Sequence, residues 1–418
     1  MRRELSQDYN LSLLDDTKTF KRLELALRKS HELDQTENMN GAAANFCYED
    51  CKDEMWNPEN FSLLWGTWLW ENSSPFQRVK LNQLYWVAYY SQIISAEIAT
   101  IFYNQTSAAS LYGMEDFRII CDTLDLESTQ ERAHINAFKT VSEEVEINLF
   151  GERVFTYPMR NPFVQTMIFS DLNQLQKTLR KAQLSTYAVL SAHRPFIGCQ
   201  YFVVRGLRTL NGKIVQQKLS KYCLDSNDVK SKPVPSQISY FHFMDESFHF
   251  NTSTVVSHDA IRSVPSPNGF ERLVSNMAVK GCQKDHYNFS TAINGIFWYD
   301  PALYPKIYKI LRSPIFGMSH AESLEAMKKS FCYDSDGLQA SHLTHKQALE
   351  SYKKYLVDFQ YVNAFNKEMK LMGQNSVEKH LKENQRQLKV FERKVKDHGV
   401  KLTSLTPNSG ILLDHAKN

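Results

Sequence analysis

The sequence predicts an all-α protein organised around a bundle of long helices, and three observations predict it. First, its apolar residues recur at helical spacing over proline-free stretches, one of them running from Gln77 to Gly113. Second, the same Glu-x-x-His spacing occurs twice, as Glu131/His134 and Glu246/His249, each time inside such a stretch. Third, proline-containing links such as "GERVFTYPMRNPF" and "LDSNDVKSKPVPSQ" separate the periodic stretches, Pro195 alone falling inside one of them. A chain of 418 residues that is 42% hydrophobic and 23% charged can bury a large core, so the pattern reads as a globular protein.

Taken in order, residues 1–58 are polar and read as an N-terminal arm with a helix at about 16–33. "NPENFSLLWGTWLWENSS" then suggests a short aromatic helix packed on the bundle. That bundle is expected within residues 59–256, with helices at about 77–112, 115–149, 185–211 and 236–256. The third is taken to stop at Asn211-Gly212, a common helix terminator. An amphipathic stretch from Asp171 to Gln183 precedes it, and the 224–237 loop is longer than bundle connections usually are. Residues 257–418 read as a mostly helical extension packed on the bundle, ending in the charge-dense "SVEKHLKENQRQLKVFERKVKDHG", a solvated outer helix or a homodimer contact.

The stretch "YFHFMDESFHF" places His242, Glu246 and His249 at successive offsets of four and three, which puts all three on one helical face. Such a stripe offers two imidazole nitrogens and a carboxylate, a set suited to iron, manganese or zinc. Surrounded by four phenylalanines, it would alone read as ordinary core. "ESTQERAHINAF" supplies the second copy, Glu131 and His134. Two such motifs are half the ligand set of the carboxylate-bridged dinuclear bundles, which take one further Glu from each of the other two helices. Glu97 provides one of these. It is the lone acid of an apolar helix, where an isolated carboxylate is costly. If the chain turns at Gly113, Glu97 and Glu131 lie about 16 and 18 residues on either side, within about one turn in height.

The remaining helix offers no acid. Between Val154 and Asp245 the acids are Asp171, Asp225 and Asp228, none in mid-helix, and counting back from Asn211-Gly212 lands near Gln200. An amide thus stands where a Glu is expected. His193 lies seven residues earlier, while Asp245 and Glu127 are placed to orient ligand imidazoles.

The order Glu97, then Glu131/His134, then a further helix, then His242/Glu246/His249 resembles the p-aminobenzoate N-oxygenase-like di-iron oxygenases, a branch of the ferritin-like superfamily. His242, four residues before the last motif's glutamate, points to that branch, and the resemblance spans roughly residues 60–255. It implies a ferritin-like fold holding two iron ions, manganese being an alternative at one site. The implied ligands are Glu97, Glu131, His134, His242, Glu246 and His249, with Gln200 in the place of the third-helix glutamate. The implied activity is O2-dependent oxidation of a small organic substrate, by N-oxygenation of an amine or by C–H hydroxylation. The alternative is a catalytically modified or inactive metal-binding or interaction protein on the same scaffold.

Other classes find little support. The net charge of +3, from 49 basic and 46 acidic residues, gives no strong field for nucleic acid or anionic membranes. No apolar run of membrane-spanning length and no signal-peptide pattern is present, so a cytoplasmic location is expected. Seven irregularly spaced cysteines read as free thiols, and Cys47/Cys51 alone are a weak zinc signal. No Gly-rich nucleotide loop, HExxH or G-x-S-x-G motif occurs, so electrons for oxygen chemistry are expected from an external donor.

Overall fold

The computed structural model describes residues 12–155, 174–224, 228–289 and 295–397, and no β-strand occurs among them. The fold is all-α, as expected. Twelve helices of eight or more residues succeed one another among the described residues: α1 (Thr17–Glu32), α2 (Thr36–Ala44), α3 (Pro75–Leu111), α4 (Arg118–Phe150), α5 (Gln174–His193), α6 (Pro195–Leu224), α7 (Val234–His258), α8 (Gly269–Asp285), α9 (Tyr304–Arg312), α10 (His320–Phe331), α11 (Asp336–Leu356) and α12 (Val377–Asp397). Helices α3, α4, α6 and α7 form the bundle, with the α6–α7 and α3–α4 pairs most closely packed.

Local chemistry fixes the ends of these helices. Ser74 caps α3 through a reciprocal exchange with Gln77, and Pro75 occupies the first turn, where its missing N–H costs nothing. Gly151 ends α4 in the left-handed conformation at φ 67°, which a residue without Cβ adopts readily. The indole N–H of Trp86 donates to the Pro235 carbonyl and to Ser239 Oγ, both at 2.9 Å, and so ties α3 to the start of α7.

The first, second and fourth bundle helices match their expected spans to within a turn. The third does not. The chain breaks at His193–Pro195, dividing the expected 185–211 helix between α5 and α6, and α6 then runs straight through Asn211-Gly212 to Leu224. Proline is the stronger punctuation, because it lacks a donor and clashes with the preceding turn, whereas a glycine costs a helix only about 1 kcal/mol. Close packing against α7 outweighs that cost. Asp171, Asp225 and residues 156–173 of the expected link and amphipathic stretch lie outside the described residues.

One apolar core runs from the N-terminal segment (Met39, Trp56) through α3 (Trp86, Tyr90) to the C-terminal helices (Tyr304, Phe331, Phe391). The C-terminal segment also reaches the bundle at Tyr355, whose hydroxyl lies 2.9 Å from Ser257 Oγ. That approach requires Gly206, since a Cβ there would lie 2.1 Å from the Tyr355 oxygen. Among the described residues no helix is long and apolar enough to cross a membrane.

Candidate metal centre

The bundle brings six of the seven expected ligands together. Glu97 from α3, Glu131 and His134 from α4, and His242, Glu246 and His249 from α7 are all buried. Their ligand atoms fall into two groups, each within 4.8 Å: Glu97, His134, His242 and Glu246 in one, and Glu131, Glu246 and His249 in the other. Glu246 belongs to both.

The individual contacts aim inward. His134 Nδ1 lies 3.5 Å from both Glu97 Oε1 and Glu131 Oε2. His242 Nε2 lies 3.2 Å from Glu97 Oε1 and 3.7 Å from Glu246 Oε1. His249 Nδ1 lies 3.0 Å from Glu246 Oε1 and 3.4 Å from Glu131 Oε1. Both oxygens of Glu97, Glu131 Oε2, His134 Nδ1 and His242 Nε2 have no hydrogen-bond partner although buried. Buried polar atoms are rarely left so, and these orphans point at one another. A pair of divalent cations would satisfy them, and the carboxylate and imidazole donors are of the type that iron or manganese accepts.

The far nitrogens of two imidazoles are fixed by a symmetric device. His134 Nε2 lies 3.1 Å from Asp245 Oδ2, and His249 Nε2 lies 2.9 Å from Gln130 Oε1. Asp245 directly precedes Glu246, and Gln130 directly precedes Glu131. Each motif therefore supplies the residue that holds the other motif's histidine. With the Nε2–H donated outward, Nδ1 is left free to ligate. Asp245 is legible beforehand as an orienting residue; Gln130 is not singled out, although the repeated pattern of a polar residue before Glu-x-x-His carries the signal.

The buried carboxylates and imidazoles shift one another's proton affinities. Burial lifts the Glu97 carboxyl well above its usual range. Burial also pushes Glu131 up, but the close approach of the His134 and His249 imidazoles outweighs it and holds this carboxyl at about 2. Glu246 is likewise lowered against the pull of burial, mainly by His249. His134 and His249 are raised well above the ordinary imidazole value because neighbouring carboxylates and Asp245 overcome desolvation. His242, dominated by burial, is pushed down to about 3. Glu97, His134 and His249 thus favour a proton while Glu131, Glu246 and His242 give theirs up, and bound metal ions would favour neutral imidazoles and ionised carboxylates throughout.

Glu127 and Arg205 form a buried ion pair next to the centre. Arg205 donates to both carboxylate oxygens of Glu127, to Ser253 Oγ at 2.7 Å and to the His249 carbonyl at 2.9 Å, bracing α4, α6 and α7 around the ligands. Arg205 gives no sequence signal of this role.

Gln200 is not brought to the cluster. Its carboxamide oxygen accepts a 2.6 Å hydrogen bond from the Tyr187 hydroxyl. It lies twelve residues before Gly212, and because α6 continues through Asn211-Gly212, counting back from a stop there misplaces the level by about 18 Å. His193 is exposed at the end of α5. Cys47 is exposed, Cys51 is buried, and both are free thiols.

A cavity of about 390 Å³ opens beside the centre, touching Glu97, Glu131, His242, Glu246 and His249. Its walls are mainly apolar: Ile93, Ala96 and Ala99 from α3, Val204 from α6, and Val274, Met277 and Ala278 from α8. Phe270, Leu273 and Met277 are also partly open to solvent, which places the mouth along α8.

The fold and this cluster define a ferritin-like helical protein whose buried glutamates and histidines could hold a dinuclear metal site. The family comparison narrows the class: the model described as acyl halogenase CylC-like matches residues 18–392, so the chain belongs to that family and with it to the oxidative enzymes of the di-iron ferritin-like group. The resemblance to the N-oxygenases holds at the level of that wider group. No curated protein and no solved structure matches the chain.

Proposed function

We propose that this protein is an O2-dependent di-iron enzyme that oxidises a carbon of an acyl substrate, inserting a halogen in place of hydrogen. The observation that carries this reading is the shared Glu246 cluster opening directly onto an apolar cavity, together with the acyl halogenase family match. Two iron ions bound there would supply the reduction of O2. The overall reaction, R–H + X⁻ + O2 + 2e⁻ + 3H⁺ → R–X + 2H2O, needs an external electron donor, which is a further part of the proposal.

The chain's own residues account for the rest. Glu97, Glu131 and Glu246 supply three negative charges and His134, His242 and His249 three neutral nitrogens. The side chains of α3, α6 and α8 hold an alkyl chain by burying it, at roughly 25 cal/mol per Å² of apolar surface removed from water. Tyr89, which lines the cavity beside these ligands and is fully buried, closes the site against water on the α3 side.

The test is to load the protein anaerobically with Fe(II), add a reductant, bromide and O2, and present acyl esters and thioesters of graded chain length. Mass spectrometry should show the two-isotope signature of a monobrominated acyl product. Hydroxylated or N-oxidised products alone, bromide being present, would rule out halogenation and leave an oxygenase.

A further inference from the structure

The register of α6 against α7 shows what stands on the bundle's fourth wall. Arg205 on α6 is bonded to Ser253 Oγ and to the His249 carbonyl on α7, and it pairs with Glu127 on α4, one turn before Glu131. The two helices run antiparallel. Seven residues, two turns, beyond Arg205 on the same face of α6 comes Gly212; seven residues before Ser253 on α7 comes Glu246. Gly212 therefore stands at the level of Glu246. The position of Lys213 agrees, its Nζ lying 4.9 Å from the centre of the Phe250 ring, four residues after Glu246.

Dinuclear carboxylate bundles place a glutamate on each of the two helices that lack the Glu-x-x-His motif. Here α3 supplies Glu97, and α6 supplies a hydrogen atom. Gly212 lines the cavity, and a Cβ built on it would meet no heavy atom within 4 Å. The charge count gives the consequence. Two divalent cations against the direct ligands Glu97, Glu131 and Glu246 leave one unit of positive charge, which the Asp245 carboxylate behind His134 offsets from outside the ligand set, and the Lys213 ammonium, about one turn away over the Phe250 ring, adds another. The centre is one anion short where the wall is open.

We propose that the space in front of Gly212, between Lys213 and the Glu131–Glu246 cluster, is a halide site in which chloride or bromide takes the place of the missing carboxylate beside the metal pair. This rests on the metal centre proposed above. A halide suits the place because it is small, singly charged and weakly hydrated, so that it needs few hydrogen-bond donors. The wall agrees: the neighbouring Thr209 hydroxyl already donates to the Arg205 carbonyl at 3.0 Å. Gly212 then acts as the residue that keeps the position open, and Lys213 as the charge that favours an anion there.

The test uses Co(II) in place of iron under anaerobic conditions, with metal content measured first. Bromide is then titrated while the visible d–d absorption is followed, and bromine-edge X-ray absorption looks for a metal neighbour. The wild type should give a saturable absorption change with a Br–metal contact. Gly212→Glu should bind the metal at least as tightly and lose the bromide response. Lys213→Met should keep its metal and need at least about tenfold more bromide. A wild type that binds cobalt but shows no bromide response, or a Gly212→Glu protein that responds as the wild type does, overturns the halide site. An equal response to acetate would make this a carboxylate subsite and overturn it too. If the wild type binds no cobalt or iron, the metal centre itself fails, and elemental analysis shows this before any halide is added.

Discussion

Replacing Asp245 by Asn removes one charge without changing shape, and the hydrogen bonds around it predict a large effect. Asp245 Oδ1 accepts the Gln35 backbone N–H at 3.1 Å while Oδ2 faces His134 Nε2 at 3.1 Å. A carboxylate accepts at both places. An asparagine accepts at only one, so its NH2 must face either the Gln35 N–H or the His134 N–H, donor against donor, in a residue with no exposure to water. If the imidazole instead shifts its proton to Nδ1, the nitrogen facing the cluster is lost as a ligand. Either route weakens metal binding, and loss of such outer partners lowers affinity by about 10–100-fold, equivalent to about 1.4–2.8 kcal/mol. Competitive titration of the metal-free protein with Co(II) against a chelator of known affinity measures this directly. An Asp245→Asn protein with wild-type affinity and stoichiometry would show that His134 does not ligate through Nδ1, and the orientation derived for it would fall.

Other parts of the structure lead to three more outcomes. Arg205→Met leaves Glu127 buried without its partner and should cost about 3–5 kcal/mol in denaturant unfolding, much of it recovered when Glu127→Leu is added; equal stability of wild type and single variant would contradict the bracing role. Gln200→Glu should leave metal stoichiometry unchanged, since Gln200 meets Tyr187 rather than the cluster, and a gain of metal would restore it as a ligand. Burial pushes His286 down to about 3, so between that value and the ordinary 6.5 the unfolded chain binds a proton that the native protein refuses. Stability should therefore fall as pH drops through this window, by about 2 kcal/mol at pH 5, and be constant above it. His134 and His249, raised in the metal-free protein, work in the opposite sense, so the comparison is made on metal-loaded wild type and His286→Asn; parallel pH profiles of the two would refute the assignment.

The six clustered residues are legible in the sequence because helical spacing alone brings Glu-x-x-His onto one face, and because a lone acid such as Glu97 in an apolar helix requires a partner. The fold class comes from the same periodicity. The third bundle helix is misplaced at both ends. Periodicity runs across the Arg194-Pro195 break although proline marks it, and Asn211-Gly212 resembles a terminator although packing against α7 carries the helix through. Gln200 stands or falls with that false stop, and Gly212, a residue with no side chain to notice, is the one at the right level. Arg205 and Gln130 act across helices, and their partners Glu127 and His249 are far away in the chain, so only the tertiary register reveals them.

The measurement that bears most directly on the centre is iron stoichiometry after anaerobic Fe(II) loading, compared among wild type, His242→Ala and Glu246→Ala. His242 contributes to one of the two ligand groups, whereas Glu246 contributes to both. The wild type should hold about two irons per chain, His242→Ala should lose chiefly one, and Glu246→Ala should lose most of both. A wild type that takes up no iron, or a Glu246→Ala protein that keeps all of it, would contradict a dinuclear centre built on this cluster.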